Sequence, residues 1–473
     1  MHMYPSRPAI ALALTGVAVL LSGCQSYQPK PLDLAGHREG WLARAPGDKP
    51  MRDFAGRLAE AGEATEFDLD DGLSLAEAEI VALVFNPDLR LARLRVGVTS
   101  ATAEHAGLWD DPQLGVDFLT LTESASNPFL ITPGLSFTIP ISGRLDAEKA
   151  RADTAVIADL TRVAEQEWQT RTTVRQAWLR WSAAILKAEQ TEELLGSIES
   201  LVSSTTRLAE AGEIVRTEAA LFTIEQASQR QALLRFEGDA AQAEQELRAL
   251  LGLSPQALLE LLPTVVLSTD PETLDAEAAA EQNLSLARLR DEYEVAEQTL
   301  RREVREQYPD LTIGPLAEFD RGDTLLGFSL PLPIPILNAN KQGIAEAHAQ
   351  RELARATFET TYERLVGSIA ANHARLDALR RQREVIETDI APLVDRQLVD
   401  AENLLQLGEG GSLVLLESLT RVGQTRMSLI DARLGESLAL AQLAELVGPE
   451  QRLSLDPTTP EPDVADPASE VTP

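Results

Sequence analysis

The sequence predicts a mainly helical protein that carries a few membrane-type β-strands and is built from one unit used twice. Three observations predict it. The segment Leu89–Arg95 (LRLARLR) returns as Leu284–Arg290 (LSLARLR), and about forty residues after each comes a second echo, Gly134–Ile141 (GLSFTIPI) and Gly327–Ile334 (GFSLPLPI). Internal repetition of this kind sets the architecture before any other feature does. Residues 145–211 have helical composition with no proline; a helix of about 67 residues is about 100 Å long, against about 11–12 residues for an average globular helix. From Phe129 to Ile141 every odd position is apolar or proline, and Leu326, Phe328, Leu330 and Leu332 alternate against Gly327, Ser329 and Pro331. Such period-two alternation suits a membrane barrel strand with one lipid face and one lumen face, or a half-buried soluble hairpin.

The elements follow in order. Arg7 precedes an apolar run, Ala9–Leu21, interrupted by Thr15. Residues 1–23 thus have signal-peptide length and are too short to span a bilayer. The run ends in Leu21-Ser22-Gly23-Cys24, with the only cysteine of the chain. This resembles the bacterial lipoprotein box, which implies cleavage before Cys24, its lipidation (palmitate included), and, with Gln25 next, an outer-membrane address. One cysteine permits no intramolecular disulfide. Residues 24–72 are Pro- and Gly-rich and read as an extended, lipid-anchored tether.

The first repeat covers 73–254: a helix over about 73–108 with Ser74 and Glu77 as a capping box, a strand pair at about 113–141, and the long helix to 211. A break at Gly212-Glu213 follows, then helix to about Leu251. After a linker at 255–272, the second repeat covers 273–448: helix about 275–307, strand pair about 310–334, helix about 341–407, the break Gly408-Glu409-Gly410-Gly411, and helix to about Leu446. Leu376, Leu379, Ile386, Ile390 and Leu393 form a broken heptad seam, as in coiled coils. Pro331, Pro333 and Pro335 are expected where the chain swivels from strand to helix, because proline belongs at strand ends and edges. Residues 449–473, rich in Pro, Asp and Glu, read as a disordered acidic tail.

A spanning sheet cannot leave open edges in lipid, and the smallest single-chain bacterial barrels have about eight strands. One chain here offers four. The barrel is therefore expected to be shared, and three copies would supply twelve strands.

Together these features resemble the outer-membrane efflux protein family, the TolC-like ducts of tripartite exporters. The resemblance runs from about residue 75 to 448 and rests on Asn86-Pro87-Asp88-Leu89, Gly134–Arg144 (GLSFTIPISGR), Leu330–Gly343 (LPLPIPILNANKQG) and the breaks at Gly212 and Gly408. It implies a homotrimer in the outer membrane of a Gram-negative bacterium, continued by a coiled-coil periplasmic tunnel. It also implies docking to a periplasmic membrane-fusion adaptor and an inner-membrane pump of the resistance-nodulation-division type. Segment 330–343 is similar to that of members serving heavy-metal efflux. By position, Gly212, Glu213, Gly408, Glu409, Ser412 and Leu413 would be the adaptor-docking tips. An acidic gate near the second tip would fall to Glu417, since Leu413–Leu416 is apolar where an aspartate is expected.

Chemistry is sparse. The five histidines are scattered, and there is no HExxH, GxSxG, Walker A loop or GxGxxG, so catalytic, cofactor and metal sites are all expected to be absent. A net charge of −32 repels nucleic acid and either favours cations in a conduit or keeps long helices soluble. The function expected is a passive exit duct for metal cations or drugs. The alternatives are a type I protein-secretion exit and a periplasmic coiled-coil adaptor or scaffold lipoprotein.

Overall fold

The computed structural model describes residues 27–60, 67–120, 129–267, 276–320, 323–407 and 411–449. Cys24, Gly408, Glu409 and the acidic tail lie outside the described residues. The chain forms two compact units, Met1–Arg44 and Ala45–Pro473. The first holds α1 (Leu34–Leu42), started by Asp33, whose carboxylate accepts from the Gly36 N–H at 2.9 Å.

The second unit opens with α2 (Lys49–Glu60), which buries Met51 completely. The stretch expected to run extended thus contributes a helix to the core. Next comes α3 (Leu75–Phe85), begun by the capping box: Glu77 returns its carboxylate to the Ser74 N–H at 2.8 Å. The single helix expected over 73–108 is in fact two. Asn86 ends α3, and α4 (Pro87–Glu104) starts on the same residue. The Asn86 side chain accepts from the N–H groups of Asp88 and Leu89, and Pro87 occupies the first turn, where its missing N–H costs nothing.

The strand pair follows as β1 (Gln113–Thr120) and β2 (Phe129–Ile139). Then come α5 (Arg144–Ala211, 68 residues) and α6 (Arg216–Leu250). The order then recurs: α7 (Ala276–Gln282), α8 (Leu284–Glu306), β3 (Leu311–Asp320), β4 (Asp323–Ser329) and α9 (Lys341–Glu384). Here too the helix expected over 275–307 is broken, at Asn283, whose side chain accepts from the Leu286 N–H at 2.8 Å.

The local geometry recurs as well. The Asn86 amide donates to the Leu250 carbonyl at 2.8 Å, and the Asn283 amide donates to the Leu446 carbonyl at 2.7 Å. Just beyond those carbonyls, Gly252 (φ +70°) and Gly448 (φ +95°) pass so close to Phe85 and Gln282 that a Cβ would lie 1.9 Å and 2.6 Å from their carbonyl oxygens. Only glycine tolerates that approach with a left-handed backbone. Each junction sits beside a core. One gathers Ile80, Val81, Trp178, Trp181, Leu247 and Leu251, the other Leu286, Leu365, Ile369, Leu440, Leu443 and Val447.

The helix expected over 341–407 is also interrupted. A π turn, Val385–Ile390, separates α9 from α10 (Ala391–Gln406), and Ala391 donates five residues back to the Ile386 carbonyl. Pro392 is the cause: it has no N–H for the carbonyl four residues earlier, and its ring clashes with it. The widened turn inserts one extra residue, as π bulges do. The expected seam therefore holds through Leu376 and Ile386, both buried, and then slips. Ile390 and Leu393 are exposed, and Val394 and Ala401 take their place inside. The chain continues into α11 (Ser412–Val447).

The two strand pairs join in one antiparallel sheet of order β1-β2-β3-β4. Pro331, Pro333 and Pro335 lie between β4 and α9, as expected, but two further prolines lie inside strands. Pro133 and Pro315 lie within the two central strands, and neither is among the paired residues of the β2–β3 seam. Pro133 still stands opposite Val116, and Pro315 opposite Phe328. Each central strand thus gives up bonds on one side only.

Candidate functional site

The sheet is the first part of the site. Its register puts opposed residues on a common face. One face carries Leu114, Val116 and Phe118 of β1, Pro133, Leu135, Phe137 and Ile139 of β2, Leu311, Ile313, Pro315 and Ala317 of β3, and Leu326 and Phe328 of β4. The other is mostly polar and small, with Gln113, Gly115, Asp117, Thr132, Ser136, Thr138, Thr312, Glu318, Gly327 and Ser329 beside Leu316 and Leu325, and the Thr138 and Thr312 hydroxyls 3.3 Å apart. The apolar face is open: Leu114 and Phe118 are each 75% exposed, Leu326 83% and Phe328 77%. A sheet that shows a whole apolar face to its surroundings marks an interaction or membrane surface. No described helix is long and apolar enough to cross a membrane.

Sheet and helices meet at a polar junction. Asp310 accepts from the Ser142 hydroxyl at 2.7 Å and lies 3.5 Å from Arg144 at the start of α5. Asn340, before α9, donates to the Glu303 carboxylate at 2.7 Å. Arg302 and Asn340 together hold Glu303 below the usual carboxylate range, although its burial works the other way and is the largest influence.

The helix reversals form the other end. After Ala211 the chain turns through Gly212, whose φ of +78° lets the Glu213 N–H reach the Leu208 carbonyl at 2.9 Å. This satisfies the orphan carbonyls of a helix C-terminus. Gly212 and Glu213 are exposed, as are Val215 and Leu413. The structure brings the two expected tips together: the Ser412 hydroxyl, at the start of α11, donates to the Glu218 carboxylate in the first turn of α6 at 2.6 Å. Glu218 carries no sequence signal of its own; only the long-range pairing reveals it.

Glu417 sits one turn further along α11, exposed, and accepts from Arg421 at 2.8 Å. Arg421 also borders an open cavity of about 650 Å³ between the π turn and α11, shared with Arg381, Val385, Ile386 and Ile390. Beneath it, Glu387 receives Arg433 and Arg383 at 2.8 and 2.7 Å. The Arg433 hydrogen bond foremost, and Arg383 after it, hold the Glu387 carboxyl below its ordinary range against the opposing effect of burial. Among the described residues no three His, Cys, Asp or Glu side chains are grouped to hold a metal ion.

The family model described as outer membrane efflux protein matches residues 81–253. Residues 81–253 are thus similar to those of outer membrane efflux proteins. They run from α3 through the first strand pair and the Gly212 turn to the end of α6. No curated protein matches the chain. Solved structures extend the likeness over most of the chain. A CusC structure, described in terms of folding and transmembrane channel formation, is 17% identical and covers 90% of this chain and 100% of its own, with a TM-score of 0.66. The outer membrane protein VceC of Vibrio cholerae is 18% identical, covering 80% and 97%, at 0.66. The CmeC outer membrane channel of Campylobacter jejuni is 14% identical, covering 80% and 86%, at 0.67. At such identities these likenesses establish the fold.

Proposed function

We propose that the chain is one subunit of a trimeric outer-membrane duct, the passive exit of a tripartite efflux system of the resistance-nodulation-division type. The observation that carries this reading is the sheet: four antiparallel strands with one apolar face and two open edges, set beside a helix of 68 residues. Open edges are not tolerated in lipid. Head-to-tail joining of three copies closes a twelve-stranded barrel, apolar outward and polar inward, with the paired helices forming a tunnel of about 100 Å. The recurrence of the Asn86 and Asn283 junctions supports two internal repeats. Cys24 supplies a lipid anchor. Gly212, Glu213, Ser412 and Leu413, with Gly408 and Glu409 outside the described residues, face the adaptor. Glu417 contributes a three-carboxylate ring to the pore.

Opening at the tips on adaptor engagement then lets cargo diffuse outward, with energy supplied by the inner-membrane pump and no reaction on this chain. Heat-resistant trimers in outer-membrane fractions are the expected result; monomers there would sink the shared barrel and favour the scaffold alternative. For cargo, growth of a deletion strain on zinc, cobalt, cadmium, copper and silver salts, dyes and antibiotics is the test. Sensitivity to metals alone supports cation efflux, whereas sensitivity to dyes and antibiotics moves the assignment to drugs. A protein missing from the medium of the deletion strain would favour type I secretion.

A further inference from the structure

The end of β4 carries an inference that rests on the shared-sheet reading and goes beyond it. The β3–β4 register runs from Asp320/Asp323 to Gly314/Ser329 and stops, although β3 continues back to Leu311 and could have met Leu330–Leu332. The reason lies in which edge each residue addresses. Pro315 stands opposite Phe328 and has no N–H, so that pair exchanges no hydrogen bonds and its neighbours, Leu316/Gly327 and Gly314/Ser329, do. Odd-numbered residues of β4 therefore point their N–H groups at β3, and even-numbered residues point theirs at the open edge. Carried onward, positions 331, 333 and 335 fall on the β3 side, and all three are proline. The inner edge is stripped of donors.

The outer edge is not. Leu330, Leu332 and Ile334 keep their N–H groups, and each precedes a proline, which holds it extended. The Ile336 N–H is taken up internally by the Ile334 carbonyl at 2.9 Å. The three side chains are 59%, 56% and 72% exposed.

We infer that Leu330–Ile334 is a one-sided docking strand for a second copy of this chain, which lays its approach to β1, Leu108–Pro112, along it. The sheet order leaves the outer edges of β1 and β4 as the two free ones. β1 runs antiparallel to β4, so a neighbouring copy's residues just before Gln113 lie alongside the residues just after Ser329. That approach offers complementary chemistry: Leu108 and Trp109 are 63% and 64% exposed, and Pro112 presents a carbonyl without a competing donor. The prolines keep the extension from folding back on its own β3 and leave it one partner. The seam between copies thus continues beyond the sheet into the junction with the helices.

The prolines also make the test clean, because the only exchangeable backbone amides between 330 and 336 belong to residues 330, 332, 334 and 336. Hydrogen exchange of the full-length wild-type protein in detergent should show the first three at least about tenfold slower than an unstructured peptide. Leu332→Pro, which removes an outer-edge donor, should lose the trimer at a temperature where wild type and Leu332→Ala keep it. A trimer whose 330–334 amides exchange freely, or that resists Leu332→Pro as well as Leu332→Ala, overturns the docking strand and leaves the duct standing. A wild-type chain that is monomeric overturns both.

Discussion

Asn86 is buried and serves three partners at once: its oxygen caps α4, its amide holds the Leu250 carbonyl, and its backbone closes α3. Asn283 repeats the oxygen and amide contacts against Leu286 and Leu446. Loss of a cap costs about 1 kcal/mol and a buried carbonyl left without its donor about as much again. Asn86→Ala is therefore expected to destabilise by about 2 kcal/mol in denaturant unfolding, and Asn283→Ala by a similar amount. Asn86→Asp, which keeps the cap acceptor and loses the amide donor, should fall between. Equal stability of wild type and Asn86→Ala would show that the junction does not order the helices. Glu387 gives a pH-dependent counterpart. Its carboxyl is held below its ordinary range by Arg433 and Arg383, so its contribution is fully present above the unfolded carboxylate range and is lost as the pH falls through the folded one. Glu387→Gln should lower the unfolding midpoint at pH 7, with the gap to wild type closing toward about pH 3. A gap independent of pH would assign the residue a packing role alone.

At the scale of elements, the long helices, the two strand pairs, the capping box and the Gly212 reversal are legible because each is written locally, in composition, alternation or a three-residue motif. The breaks inside helices are less so. Asn86-Pro87 spells a cap followed by a first-turn proline, yet apolar periodicity continues across it and masks the stop. Pro392 sits in a segment otherwise suited to helix, and whether a proline kinks, breaks or inserts a π turn depends on what its neighbours pack against. The β2–β3 seam and the Ser412–Glu218 contact join residues far apart in sequence, and no local pattern specifies them. The π turn makes its own prediction. Since it holds one residue too many for a straight helix, deleting the exposed Thr388 in a Pro392→Ala background should leave Val394 and Ala401 in the core. The unfolding temperature should then stay within about 2 °C of wild type, a shift of about 2 kcal/mol or less for a chain of this size. Deleting exposed Arg180 from uninterrupted α5 turns Trp181 and the following residues by about 100° and should abolish folding. If the Thr388 deletion is as damaging as that of Arg180, the π turn is required for the packing and is not a tolerated insertion.

The whole molecule carries a net charge of −32, and in a duct that charge has a directional consequence only where it lines the lumen. Glu417 is the position to ask, and its ion pair with Arg421 sharpens the question. As a pair the two side chains sum to no net charge, so a ring of three such pairs would be neutral despite its three carboxylates. Glu417→Gln leaves three uncompensated guanidinium groups and should shift the reversal potential of single trimers in a planar bilayer toward anions. Arg421→Gln leaves three carboxylates, which attract cations as acidic rings do in cation channels, and should shift it toward cations. Both shifts should shrink as salt rises, because the Debye length falls from about 10 Å at 0.1 M to about 3 Å at 1 M. Opposite, salt-sensitive shifts would put this turn of α11 on the pore and make the neutral pair a brake on cation preference. If neither substitution moves the reversal potential, Glu417 faces away from the lumen and the acidity of the chain acts on solubility instead.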